Sequence, residues 1–217
     1  MPKAVLFDLD GTLVDSNTFH VDVWDQVFRE AGYPVPRDVI GGQIGKGGDQ
    51  LVPALLPHLD AGISEQLEHR HGVLFKQLFL DRVRPFPGAA ALVERVHASG
   101  AKVVLASSAS AEELDHYGKL LGIEHLVAAR TTSDDVSATK PAPDIFATAC
   151  QKVGVDPADA VVIGDTPYDI EGATAAGIRT VAVRSGGFSN DTLADAIATY
   201  DDVGALLADF ERSPLAD

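Results

Sequence analysis

Along the chain, short and mostly apolar runs alternate with longer stretches in which apolar residues recur every three or four positions. The runs, at 4–7, 102–106, 126–129, 160–163 and 179–183, are predicted as strands. A strand that is apolar at every position is buried on both faces, the signature of a parallel sheet covered by helices. Between the later runs the helical stretches have readable ends. One covers 89–99 and stops at Gly100. A second, over 110–121, opens with Ser110 and Glu113 in capping-box spacing. A third opens at Pro143 and closes at Gly154, and a fourth, near 167–176, ends at Gly177.

Residues 16–84 have a different texture, with no strand pattern. His20, Trp24, Val27, Phe28 and Ala31 fall on one helical face before Gly32 and Pro34 stop the helix, and Trp24 is expected in the core of this region. Residues 37–48 read as irregular and glycine-rich. Helices are then predicted at 49–56 and after Ser64, the latter with the stripe Leu67, Leu74, Phe75, Leu78 and Phe79. The C-terminal 191–210 reads as closing helices around a short connection. The predicted fold class is α/β, a Rossmann-like parallel sheet with helices on both faces, assembled from 1–15 and 85–217, with 16–84 as an inserted helical unit. The two crossings between the units, near 14–17 and 83–88, are single strands of chain and are expected to hinge.

Composition narrows what this fold can be doing. Of 217 residues, 32 are acidic and 17 basic, and the net charge of −15 opposes nonspecific binding to nucleic acid or to an anionic membrane. An anionic ligand therefore needs a local cation. Cys150 is the one cysteine, expected in the core, so no disulfide within the chain and no thiolate zinc site can form. No signal-peptide layout precedes the first strand, and no apolar run reaches bilayer length. A cytoplasmic protein is expected; the oligomeric state is not set by the sequence.

The chemistry-bearing residues fall at predicted strand ends, where parallel α/β sheets bind ligands. The first run ends in Asp8 and Asp10, the second in Ser107 and Ser108, and the fourth in Asp165, with Asp169 a helical turn later. Lys140 lies in the loop after the third. Each alone has an ordinary reading: an acidic turn for Asp8 and Asp10, local turn capping for Ser107, a helix cap for Asp165, a loop lysine for Lys140. Together, four carboxylates and one ammonium at one edge call for a further cation. The all-oxygen donor set points to a hard divalent ion, Mg2+.

In order and spacing, FDLDGT, LASS, KPAPDIF and GDTPYD resemble the four motifs of the haloacid dehalogenase superfamily, within it the phosphoglycolate-phosphatase and β-phosphoglucomutase-like subgroup. That resemblance implies a core with a helical cap, and a Mg2+-dependent phosphatase acting on a small phosphorylated metabolite. It implies Asp8 as nucleophile, and Asp10 as acid and base. Metal ligation falls to Asp8, Asp165 and the Asp10 carbonyl, with Asp169 acting through water or orienting Lys140. Phosphate binding falls to Ser107, Ser108 and Lys140. His20 resembles a substrate-facing cap histidine, against a purely structural role. Lys46, in GGQIGKGG, either contacts substrate or belongs to a surface loop; the stretch fails as a phosphate loop because Gly47 stands where Ser or Thr is required. A mutase is the alternative, although the family's mutases commonly carry Glu-Asp where this chain has Gly164-Asp165. A dehalogenase or a noncatalytic ligand-binding relative fits the motifs less well.

Overall fold

The computed structural model describes residues 1–216. Six strands form one parallel sheet. In chain order the elements are β1 (Ala4–Phe7), β2 (Val14–Asp15), α1 (Asn17–Glu30), α2 (Arg37–Gly41), α3 (Gly48–Leu55), α4 (Ala61–Leu78) and β3 (Arg84–Pro85). They continue with α5 (Ala89–Ala98), β4 (Lys102–Ala106), α6 (Ala111–Leu121), β5 (Val127–Thr131), α7 (Asp144–Val153), β6 (Ala160–Gly164), α8 (Pro167–Ala175), β7 (Arg179–Val183), β8 (Ala198–Tyr200) and α9 (Val203–Ala208).

The sheet order is β5-β4-β1-β6-β7-β8, so the chain runs outward to one side of β1, then crosses back and runs outward to the other. Ligands bind at such a reversal, beyond the strands' carboxyl ends. Successive side chains on a strand point to opposite faces, and each face is covered. Val5 and Phe7 of β1 share a core with Leu92 and Val96 of α5 and Val203 and Leu206 of α9. Ala4 and Leu6 face Phe146, Ala149 and Cys150 of α7 and Ala173 of α8. Burying a side chain such as Phe7 or Leu6 contributes roughly 1.5–3 kcal/mol, so β1 is a firm base for the acids that follow it. Among the described residues, no helix is long and apolar enough to cross a membrane.

Helices α1 to α4 form a separate layer over the carboxyl end of the sheet, with Trp24, Phe28, Leu67 and Phe75 buried inside it. Several expectations are corrected here. Residues 37–41 form α2, not an irregular stretch; its single buried residue, Ile40, is too slight a periodic signal to read. Leu78 does not complete the α4 stripe and is 44% exposed at the helix end. The third run is shifted to β5, Val127–Thr131, whose polar Arg130 and Thr131 hid its end. The C-terminal segment is not simply helical: it contributes β8, pairing Val181 with Ala198 and Val183 with Tyr200. Three residues of ATY carry little β-pattern, and the neighbour supplies what the sequence lacks. Finally, the two crossings are not lone strands of chain. They pair as an antiparallel ribbon, β2 with β3, through Val14 with Pro85 and Asp15 with Arg84.

Candidate active site

β1 delivers Asp8 directly, and the turn after it is closed by Gly11 at φ 81°, a left-handed conformation that glycine adopts without cost. In this turn the Leu9 carbonyl accepts from Thr12, Leu13 and Val14 N–H groups. The result separates the two acids. Asp8 points down among buried charges, whereas Asp10 points toward α1 and α6.

Lys140 lies between Asp8 and Asp169. Its Nζ donates to Asp8 Oδ1 and is 2.7 Å from Asp169 Oδ1, and the lysine is 1% exposed. The Thr12 hydroxyl donates to Asp165 Oδ1 at 2.8 Å and lies 3.3 Å from Asp8 Oδ2. Asp8, Asp165 and Asp169 each place one carboxylate oxygen within 4.8 Å of the others. Three buried carboxylates thus face one buried ammonium. Burial, and then the charges of Asp169 and Asp10, push the Asp8 carboxyl up to about 7 against the pull of Lys140. Burial, then Asp8 and Asp169, push Asp165 well above the usual carboxylate range. For Lys140 burial opposes the charge, but Asp169 and Asp8 outweigh it and hold the ammonium firmly protonated. The cluster is short of positive charge and offers only hard oxygen donors, which fits a divalent cation such as Mg2+.

Asp10 has other company. Its Oδ1 accepts from the Ser16 hydroxyl at 2.5 Å and the Tyr117 hydroxyl at 3.1 Å, with His20 Nε2 at 3.3 Å. Burial works against its ionisation, but the charge and hydrogen bond of His20, with Ser16 and Tyr117, hold it below its ordinary value. His20 stacks on Phe75 with centroids 3.9 Å apart, and its Nδ1 is 3.3 Å from His71 Nε2. Burial disfavours its charge, yet Asp10 raises it overall, while burial and the neighbouring His20 keep His71 well below its ordinary value. The pair therefore reads as a carboxylate and an imidazolium, with His71 neutral and accepting. Ser16 stands at the N-cap of α1 without capping it, its hydroxyl turned instead to donate to Asp10.

At the end of β4 the Ser107 hydroxyl accepts from Ala109 N–H at 3.1 Å, the local turn role, and still has its own proton to donate. Ser108 Oγ is buried with no partner among the described residues. α6 follows, capped by Ser110 and Glu113 as its spacing indicates. At the end of β6, Asp165 does not cap α8. Thr166 does, its hydroxyl accepting from Asp169 N–H at 3.2 Å while Asp169 Oδ2 accepts back from Thr166 N–H at 3.0 Å. That bond holds Asp169 facing Lys140.

A cavity of about 340 Å3 separates the helical layer from the strand ends. Asp8, Asp10, Ser107, Ser108, His20 and Lys46 all line it; Lys140 and Asp165 lie buried beneath. Lys46 donates to Gln43 Oε1 at 2.7 Å and sits 4.5 Å over the Tyr168 ring, and burial lowers its ammonium from the ordinary value. The glycine-rich stretch around it rests on the sheet's loops: Gly47 N–H donates to Thr139 Oγ1 at 3.0 Å, and Asp49 Oδ2 accepts from Thr139 N–H at 3.0 Å. Sequence reasoning missed Thr12, Ser16, Asn17, Tyr117, His71 and Thr139. Thr12 and Ser16 flank the first motif and could have been suspected; Tyr117 and His71 carry no local signal and are found only through packing.

Residues 2–177 match the family model described as haloacid dehalogenase-like hydrolase. A plasmid-encoded phosphoglycolate phosphatase of Cupriavidus necator is 30% identical over 190 residues, covering 84% of this chain and 81% of that protein. The fructose-1-phosphate phosphatase YqaB of Escherichia coli is 28% identical, covering 83% and 96%. A hydrolase from Pseudomonas syringae of solved structure superposes with a TM-score of 0.90 at 28% identity, covering 97% of this chain and 98% of that one.

Proposed function

Because this chain belongs to the haloacid dehalogenase-like hydrolases, we propose that it is a Mg2+-dependent phosphatase that cleaves a small phosphate monoester through a phosphoryl-Asp8 intermediate. The observation that carries the reading is the pairing of two unlike carboxylates two residues apart. Asp8 is buried against Lys140, and Asp10 is bonded to His20, Ser16 and Tyr117 on Oδ1 alone. Lys140, and a cation when bound, favour the ionised form of Asp8 that a nucleophile needs, while His20 beside Asp10 carries the proton that an acid needs.

Asp8 attacks phosphorus; the bond to the ester oxygen breaks, and the departing alkoxide takes a proton from the Asp10–His20 pair. Water, losing its proton to Asp10, then attacks phosphorus and restores the Asp8 carboxylate. Ser107, Ser108 and the backbone N–H that follows Ser107 receive phosphoryl oxygens, and Lys140 offsets their charge. Mg2+, when bound, supplies the positive charge that three carboxylates and a phosphoryl group require. Asp8 and Asp165 would hold it through their carboxylates and Asp10 through its carbonyl, while Asp169 orients Lys140. His20 and Lys46 line the cavity where the alcohol part of the ester would sit.

In this reading residues 1–15 and 85–217 are the catalytic core, and 16–84 are a cap that swings on the paired β2–β3 ribbon. Hydrolysis is preferred to a mutase reaction by the packing at Gly164. A Cβ there would collide with the Asp169 side chain, so a Glu at this position would displace Asp169 from its place beside Lys140. The named relatives, a phosphoglycolate phosphatase and a fructose-1-phosphate phosphatase, support a small organic phosphate as substrate. The test is phosphate release from a panel of two- to six-carbon phosphate monoesters, with Mg2+ and with a chelator. Metal-dependent turnover is expected; no turnover of any ester, or full turnover under chelator, rejects the reading.

A further inference from the structure

Asn17 is the first residue of α1, one residue beyond the β2 arm of the ribbon, yet its side chain reaches the far side of the site. Its Nδ2 donates to Asp165 Oδ2 at 3.1 Å and is 3.4 Å from the Gly186 carbonyl. Asp165 Oδ1 is already taken by Thr12, so the two oxygens of this buried carboxylate are fixed from two directions. One clamp, Thr12, belongs to the turn after β1. The other belongs to the helical layer. The fit around them is close: a Cβ on Gly11 would collide with both Asn17 Nδ2 and Asp165 Oδ2, and one on Gly186 would collide with Asp165. Ser185 Oγ, next door, donates to the Gly11 carbonyl at 2.7 Å, so the loop after β7 is tied to the same turn. Asn17 Oδ1 is buried and has no partner among the described residues, leaving it free to accept from a water in the site.

We propose that Asn17 is a positioning residue through which the placement of the helical layer sets the affinity of the acidic cluster for its divalent cation. This rests on the reading that Asp165 is a metal ligand. Groups that orient a ligating carboxylate typically change metal affinity about 10- to 100-fold when removed. Because Asn17 moves with α1, the coupling runs both ways: metal binding steadies the ribbon, and a displaced helical layer weakens the metal site.

The experiment is Mg2+ titration by calorimetry of the intact wild-type protein, Asn17→Ala and, as a control on the same turn, Thr18→Ala, at an exposed residue. Hydrogen exchange at residues 14–17 with and without Mg2+ is the second readout. Asn17→Ala is expected to bind Mg2+ about tenfold or more weakly than wild type, with Thr18→Ala unchanged. Mg2+ is expected to slow exchange at 14–17 in wild type and much less in Asn17→Ala. Should Asn17→Ala fail to unfold cooperatively, Asn17→Ser replaces it, since the shorter side chain also loses the amide contact. Equal Mg2+ affinity in wild type and variant overturns the inference while leaving the metal site standing. Absence of Mg2+ binding to wild type overturns the metal assignment itself.

Discussion

Lys140 Nζ lies 2.7 Å from Asp169 Oδ1, with both side chains 1% exposed. The same ammonium bonds Asp8, so a single cation serves two buried acids. Removing one partner from a buried ion pair leaves the other charge stranded, at a cost of about 3–5 kcal/mol. Lys140→Ala should lower the unfolding free energy by about that amount, measured by urea denaturation. An unchanged midpoint would show that Lys140 is not the counter-charge described here.

Asp165 is the least compensated acid of the cluster. At an effective dielectric of about 20, two carboxylates roughly 4 Å apart repel by about 4 kcal/mol. In the absence of metal, Asp165→Asn should therefore raise the melting midpoint by several degrees, at roughly 2–4 °C per kcal/mol for a chain of this size. Mg2+ should stabilise the wild type and not the variant. Scanning calorimetry in chelator and in Mg2+ measures both. A variant that melts lower in chelator would contradict the repulsion.

With the Asp10–His20 pair serving as acid in the first step, the worth of Asp10 depends on the leaving group. Asp10→Asn should slow hydrolysis of an alkyl phosphate on the order of 10²- to 10⁴-fold. Hydrolysis of p-nitrophenyl phosphate, whose leaving group needs no proton, should fall much less. Equal losses on both esters would remove Asp10 from the proton-transfer role.

His71 is buried, stacks on Trp24 with centroids 4.1 Å apart, and is kept well below its ordinary value of 6.5 by burial and then by His20. A histidine depressed in the folded state takes up its proton more readily when unfolded. Its contribution is therefore present above pH 6.5 and is lost as the pH falls below that value. His71→Phe, which keeps the stack, should lose less stability than wild type between pH 7 and pH 5. Denaturation at the two pH values decides it, and an equal or larger loss in the variant would count against a neutral His71.

Much of the architecture could be read in advance because it is local. β1 and β6 are continuous apolar runs and β4 and β7 mostly apolar ones, and α5 to α8 carry caps within their own sequence, such as Ser110 with Glu113. β8 could not be read, because three residues acquire strand structure only by lying beside β7. The site divides in the same way. Asp8 and Asp165 follow strand ends that the pattern locates, and Lys140 lies in the loop after β5 at the same edge, so their meeting follows from the topology. Tyr117, His71 and Asn17 reach the site from helix faces, and a helix face shows which residues are buried without showing which acid they will meet. The ribbon of β2 and β3 was hidden for a related reason: each arm is two residues long, and only the pairing of Val14 with Pro85 makes it a structure.

The central claim is that Asp8 takes up the phosphoryl group. A single turnover with an accepted phosphate ester, quenched in acid and reduced with borohydride, would convert a phosphorylated aspartate to homoserine that peptide mass spectrometry can locate. The account predicts homoserine at position 8, absent from Asp8→Asn. Phosphate release at full rate with position 8 unmodified at every quench time would contradict it.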